Sequence, residues 1–447
     1  MEKNQLTDRS GGQFVGIVGE LTTKTFYESE FPEKINYWQI CGKMRLINPQ
    51  MGEQKMSFYQ ILMPSQILYG EGSFQEVGKQ ATSLGQKVLL ISDPVMEKIG
   101  NVAQTEALLQ KKGISYAKYL GVDTEPTDVH VEEALTICRN EACDVIVAVG
   151  GGSCIDTGKA VAVLMTNEGK LSDYIGNKKL FSKKPLPLIA VPTTAGTGSE
   201  ATKVTVITDT KTEVKMMISQ PELLPCVAIV DPLLTLSCPP PVTAATGVDA
   251  LCHAIEAYIS RRSQPMTDTL ALRSIELNMK NLRKAYTQSD HLEARGNMSL
   301  ASMLAGAAFS NASVTLVHGM SRPIGALFHV PHGVSNAMLL PAVLEFTKES
   351  AREKLADIGR LIKPEWKGLS DLELADIVII EVKNLCRDLH IPNLKTWGIN
   401  QEKFQQFLNK MATDALASGS PENNPRIPSL EEIVQLYRVC YDYNFCL

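Results

Sequence analysis

Histidine is scarce in this chain, with seven in 447 residues. The ten cysteines include no Cys-x-x-Cys pair. That spacing argues against a thiol-ligated zinc ribbon or a disulfide framework, and the cysteines read as reduced thiols of a cytoplasmic protein. Lysine and arginine are not in excess, and the net charge is -5. A chain of this balance lacks the cations to neutralise phosphates along a nucleic acid. No apolar run approaches the roughly 18 residues of a membrane span, and no basic start with an apolar segment marks a secretory leader. Neither nucleic acid nor membrane is therefore expected as a partner.

With 44% hydrophobic and 21% charged residues, the composition is that of a globular protein. The length is too great for one ordinary core and predicts two domains. Residues 1–56 lack a sustained period and read as an extension, poorly ordered. From 57 to 237 short apolar runs alternate with helical patterns. "KVLLISD", "DVIVAVGGGS", "LPLIAVPTT" and "VAIVD" are apolar throughout and end in polar or glycine turns. Such runs fit strands buried on both faces of a parallel sheet. From 238 to 447 the strand signal nearly vanishes. Leu272, Ile275, Met279, Leu282 and Tyr286 fall on one helical stripe, and "CPPP" at 238–241 marks the boundary. The fold class expected is an α/β nucleotide-binding domain followed by an all-α domain.

Two glycine- and hydroxyl-rich loops follow strands. "AVGGGSCIDTGKA" is strand, turn and helix, so Gly150, Gly151, Gly152 and Ser153 stand at a helix N-terminus, where free N–H groups attract phosphate. It matches neither of the standard dinucleotide patterns, and alone it reads as a structural turn. "PTTAGTGSE" repeats the layout, and two such loops at the carboxyl edge of one sheet favour a nucleotide. Asp93 ends another strand; it fits a ribose 2′-hydroxyl, or a plain helix cap.

Asp249 and His253 are four apart on a helical pattern, with Glu256 near the same face. A pair like this alone is commonly a buried hydrogen bond. His318 and His332, from "VTLVHGMSRPIGALFHVPHGVSN", complete one carboxylate and three imidazoles, a plausible four-ligand set for Fe(II) or Zn(II). His130, His291 and His390 sit in polar contexts and read as surface residues.

"GGGSCIDTGKA", "PTTAGTGSE", "AATGVDALCHAIEAY" and "VHGM…VPHGVSNAMLLP", in this order, resemble the iron-containing (group III) alcohol dehydrogenases. The likeness runs from about residue 58 to the C-terminus and is close to bacterial lactaldehyde and 1,2-diol reductases. It implies a dehydroquinate synthase-like architecture, with metal ligands Asp249, His253, His318 and His332. It implies NAD contacts by Asp93, Gly151, Gly152, Ser153, Thr193, Thr194, Thr197 and Lys215. The function implied is hydride transfer between NAD(H) and a small alcohol or aldehyde, in a homo-oligomer of two or more chains. A hydroxyacid–oxoacid transhydrogenase and a metal- and NAD-dependent lyase of the same fold are the alternatives.

One position departs from the family pattern. Many relatives carry a second histidine where this chain has Arg322, four residues after His318. Arginine stays protonated and cannot relay a proton. Arg322 and His329 are therefore candidate cleft residues. Pro323 disfavours a helical conformation at 322. Arg322 either pairs with an acidic substrate or turns away.

Overall fold

The structure, a computed structural model, describes residues 58–212, 214–366 and 368–446. The expected extension, residues 1–56, lies outside the described residues. All elements below belong to the compact unit Tyr59–Leu447.

Strands and helices alternate first. In chain order they are β1 (Gln66–Tyr69), α1 (Val77–Leu84), β2 (Lys87–Ile91), α2 (Pro94–Lys98), α3 (Asn101–Lys111), β3 (Ser115–Tyr119), α4 (Asp128–Asn140), β4 (Val145–Gly150) and α5 (Gly152–Leu164). Then come β5 (Leu188–Pro192), β6 (Val204–Asp209), β7 (Val214–Ser219) and β8 (Val227–Val230). Six strands form one sheet in the order β1-β8-β5-β4-β2-β3, parallel throughout.

The apolar runs are explained by burial on both faces. Val88 and Leu90 of β2 join Val145, Val147 and Val149 of β4 on one side, under Val77 of α1 and Leu109 of α3. Leu89, Ile91, Ile146 and Ala148 turn to the other side, under Val131 of α4 and Ile155 of α5. The chain adds β3 outside β2, then returns to place β4 between β2 and β5. This reversal opens a crevice at the carboxyl ends of β2 and β4, where Asp93 and the Gly150–Ser153 turn stand.

Three features differ from the sequence reading. Strands β1 and β3 were not among the apolar runs, because an edge strand is not buried like a central one; β1 reads QILY and β3 SYAKY. Strands β6 and β7 form a separate antiparallel hairpin that pairs Val206 with Met217 and Thr208 with Lys215. Its half-buried, alternating residues carry a weaker signal than a continuous run.

The rest is helical: α6 (Pro240–Ile259), α7 (Pro265–Thr287), α8 (Leu292–Ala312), α9 (Leu316–Phe328), α10 (His332–Thr347), α11 (Arg352–Ile362), α12 (Asp371–Asp388), α13 (Leu394–Trp397), α14 (Gln401–Ala417) and α15 (Leu430–Tyr441). The predicted stripe on α7 packs into this core, with Ile275 and Leu282 fully buried. The third difference is in α9, which runs straight through Pro323, so Arg322 is helical. A proline inside a helix costs about 3 kcal/mol. Here that cost is outweighed by burial of the residues around it, Leu316 to Met320 and Ile324.

No single helix among the described residues is long and apolar enough to cross a membrane. The α8–α9 pair passes such a test together, but is bent by 103° and is mostly buried in the helical core.

Candidate active site and metal centre

Helix α6 starts on Pro240 and Pro241, whose fixed φ suits a first turn. Along it Asp249, His253 and Glu256 are all buried. Helix α9 brings His318, and α10 opens on His332. Gly333 permits this last approach: a Cβ there would lie 2.7 Å from the Ala245 carbonyl oxygen of α6. One ligand atom from each of Asp249, His253, His318 and His332 lies within 4.8 Å of all the others.

From Asp249 Oδ1 the distances are 3.9 Å to His253 Nδ1, 3.6 Å to His318 Nε2 and 4.0 Å to His332 Nε2. Ligand atoms on one tetrahedral ion at about 2.1 Å stand roughly 3.4 Å apart. A small inward movement would therefore seat a divalent ion. His253 Nδ1 is buried with no hydrogen-bond partner among the described residues, as a nitrogen reserved for a metal would be. The donors, nitrogen and carboxylate oxygen, suit Fe(II) or Zn(II).

Two further residues hold this set, and the sequence reading assigned neither a role. Glu256 Oε2 lies 2.5 Å from His318 Nδ1, while Oε1 accepts from Thr315 Oγ1 and the Val317 N–H. That contact leaves His318 Nε2 facing Asp249. Asn336 donates through Nδ2 to Asp249 Oδ1 at 2.6 Å and stands 3.0 Å from His318 Nε2 and 3.2 Å from His332 Nε2. Asp249 Oδ1 and His318 Nε2, both buried, and the half-buried His332 Nε2 thus converge on one point. Helical spacing was the available signal: Glu256 is three residues past His253, and Asn336 four past His332.

Electrostatics fit the donor role of His253 and His332. Burial pushes His253 down to about 4 and His332 down to about 3. Burial opposes charge on His318 too, but Glu256 and Asp249 outweigh it and raise the group to about 9. Burial also opposes ionisation of Asp249, and the surrounding imidazoles overcome it, holding the carboxyl well below its usual range.

At the sheet edge, Gly151 is the N-cap of α5. Its φ is an ordinary -71°, and the nearest atom to an added Cβ is Thr194 Oγ1 at 3.7 Å. Neither backbone conformation nor internal packing requires glycine there, so the open space fits a group from outside the chain. Gly152 differs, because a Cβ would meet Thr197 Cγ2 at 2.7 Å. Asp93 caps α2, its Oδ1 accepting from the Val95 and Met96 N–H groups; Oδ2 faces Cys154 Sγ at 3.5 Å. Both sequence readings of Asp93 are thus compatible with its position. Lys159 of the "DTGK" stretch is fully buried and bonds Ser199 Oγ, Thr202 Oγ1 and the Val204 carbonyl. It ties down the loop that carries Thr193, Thr194 and Thr197, rather than reaching for phosphate.

Comparison with known proteins identifies the family. The family model "Iron-containing alcohol dehydrogenase" matches residues 64–232, and "Fe-containing alcohol dehydrogenase family, C-terminal" matches 243–441. The 1,3-propanediol dehydrogenase of Citrobacter freundii is 41% identical over 86% of this chain and 99% of its own.

The chain belongs to the iron-containing alcohol dehydrogenase family.

The NAD-dependent methanol dehydrogenase of Bacillus methanolicus is 33% identical over 84% of the chain and 98% of its own length. A crystal structure of a 1,3-propanediol oxidoreductase superposes with a TM-score of 0.83 at 40% identity, covering 86% of this chain and all of that one. This chain is accordingly an oxidoreductase, an alcohol dehydrogenase or aldehyde reductase that moves hydride between NAD(H) and a small alcohol or aldehyde.

The dehydrogenase's remaining candidate residues are placed unequally. Lys215 on β7 pairs with Glu125 at 2.5 Å and comes close to Gly325 of α9. Arg322 is half-buried, with Nη2 3.1 Å from Met217 Sδ. His329 is exposed at the left-handed C-cap of α9 and is not part of the ligand cluster. Of the histidines read as surface residues, His390 is exposed. His130 and His291 are half-buried instead, because each ring accepts a backbone N–H at a helix start.

Proposed function

We propose that the dehydrogenase binds one divalent ion, Fe(II) before Zn(II), on Asp249, His253, His318 and His332. In the same reading NAD(H) lies along Asp93, Gly151, Gly152, Ser153, Thr193, Thr194, Thr197 and Lys215. The observation that carries this is the convergence of Asp249 Oδ1, His318 Nε2 and His332 Nε2 on one buried point, beside the unpartnered His253 Nδ1.

When bound, the metal supplies a Lewis acid for the alcohol or carbonyl oxygen, and the nicotinamide supplies the hydride acceptor or donor. The chain's own part is placement. Glu256 holds His318 in one tautomer and orientation. The α5 N-terminus offers N–H groups to the pyrophosphate. The Asp93 carboxylate favours a free ribose hydroxyl and repels a 2′-phosphate, so NAD is used in preference to NADP. The unpaired state of every described cysteine supports a cytoplasmic location. Assembly as a homo-oligomer is part of the same reading, and light scattering measures it.

Relatives named for 1,3-propanediol and methanol direct the substrate panel to short primary alcohols and diols. The test combines metal content after dialysis with NADH formation on that panel. His253→Ala and His318→Ala should each lose stoichiometric metal and turnover. Full metal occupancy in either variant removes that residue from the ligand set. Stoichiometric release of NADH separates dehydrogenation from transhydrogenation with a retained cofactor and from a lyase.

A further inference from the structure

A cation held partly out of water ordinarily has an anion beside it, because desolvating an unpaired charge is costly. Arg322 does not follow this. Its one hydrogen-bond partner among the described residues is the sulfur of Met217, a weak acceptor. No described carboxylate lies within 4.0 Å of its guanidinium. The nearby carboxylate of Glu256 is already used by His318, Thr315 and Val317. Burial lowers the guanidinium to about 10, which still leaves it charged at neutral pH.

The position of this unpaired charge is informative. Arg322 is one turn along α9 from His318, so their Cα atoms are about 6 Å apart and their side chains share a face. Lys215 and Met217 alternate on β7 and therefore also share a face. Lys215 approaches α9 at Gly325 and Met217 approaches it at Arg322. Arg322 thus stands between the hairpin that carries a proposed cofactor residue and the helix that carries a proposed metal ligand. Lys215 has its counterion in Glu125, whereas Arg322 has none among the described residues.

We infer that Arg322 is a specificity residue for an oxyanion on the substrate: the preferred substrates are short aldehydes bearing a carboxylate a few bonds from the carbonyl, and the corresponding hydroxyacids. The inference rests on the metal and cofactor placement proposed above. A guanidinium presents parallel N–H donors that match a carboxylate's two oxygens, and such a pair is strongest out of water. The reaction is unchanged: hydride adds to the carbonyl carbon, a proton joins its oxygen, and the carboxylate is untouched.

The experiment compares kcat/KM for two aldehydes of equal chain length, butanal and 4-oxobutanoate, with NADH and the metal-loaded enzyme. Wild type should favour 4-oxobutanoate at least tenfold. In Arg322→Gln that ratio should fall ten- to hundredfold, mainly through KM, and Arg322→Lys should restore part of it. Calorimetric binding of unreactive butanoate to the wild-type protein, lost in Arg322→Gln, gives a readout without turnover. Equal or better use of butanal by wild type overturns the inference, and needs no variant to fold. So does a rise in KM for NADH in Arg322→Gln that is the same with either aldehyde, which would assign the guanidinium to the dinucleotide phosphates. Absence of turnover on every alcohol and aldehyde would instead overturn the broader reading of the site.

Discussion

Glu256 Oε2 lies 2.5 Å from His318 Nδ1, one helical turn beyond His253 on the same helix. The pair joins α6 to α9 through a buried charge-assisted contact, and Oε1 adds the Val317 N–H, next to His318 itself. Partners of this kind orient a metal-binding imidazole, and their loss typically costs ten- to a hundredfold in metal affinity. Glu256→Gln is expected to weaken metal binding by that factor, since a neutral amide replaces the charged acceptor. Competition with a chelator measures it; an unchanged metal affinity would show the contact to be structural only.

Gly151 has no internal reason to be glycine, so an added methyl group should obstruct only an incoming ligand. Gly151→Ala is expected to raise KM for NAD at least tenfold, with a loss of stability of no more than about 1 kcal/mol. That loss is the cap's own, because Ala is a much poorer N-cap than Gly. A matched loss of stability and cofactor affinity would mean that the turn itself had been disturbed.

Asp93 has two tasks that one substitution can separate. Asn retains an oxygen to cap α2 through the Val95 and Met96 N–H groups, yet removes the charge. Asp93→Asn is therefore expected to improve kcat/KM for NADP relative to NAD without loss of stability. A wild-type preference for NADP would remove the assigned role.

Glu200 supplies a pH dependence of stability. Burial raises its carboxyl from 4.5 to about 7, against the opposing charge of Lys159. The folded state therefore binds more protons than the unfolded state between these values. Its contribution is fully present below 4.5 and is lost as pH rises through about 7, on the order of 3 kcal/mol in all. Urea midpoints at pH 5 and pH 8 should show Glu200→Gln gaining on wild type at the higher pH. An identical pH slope in both proteins would mean that Glu200 is not the group responsible.

Much of this was legible in the linear chain. The apolar runs that became β2, β4, β5 and β8 carry their own evidence of burial, because a strand covered on both faces has no polar side to show. Asp249 and His253 share a face by helical geometry alone, whatever surrounds them. The glycines and hydroxyls after β4 and β5 are placed at one sheet edge by the parallel topology those runs demand.

Tertiary structure decided the rest. Spacing fixes which face a residue takes, but the distance between α6, α9 and α10 depends on how the helical core packs. Only that packing brings Glu256 and Asn336 against histidines far away in sequence or on another helix. It also carries α9 through Pro323, against the local preference of the backbone. The same packing leaves Arg322 against a methionine sulfur and, among the described residues, without a carboxylate. No local pattern can state that, because being unpaired is a property of everything folded around a charge.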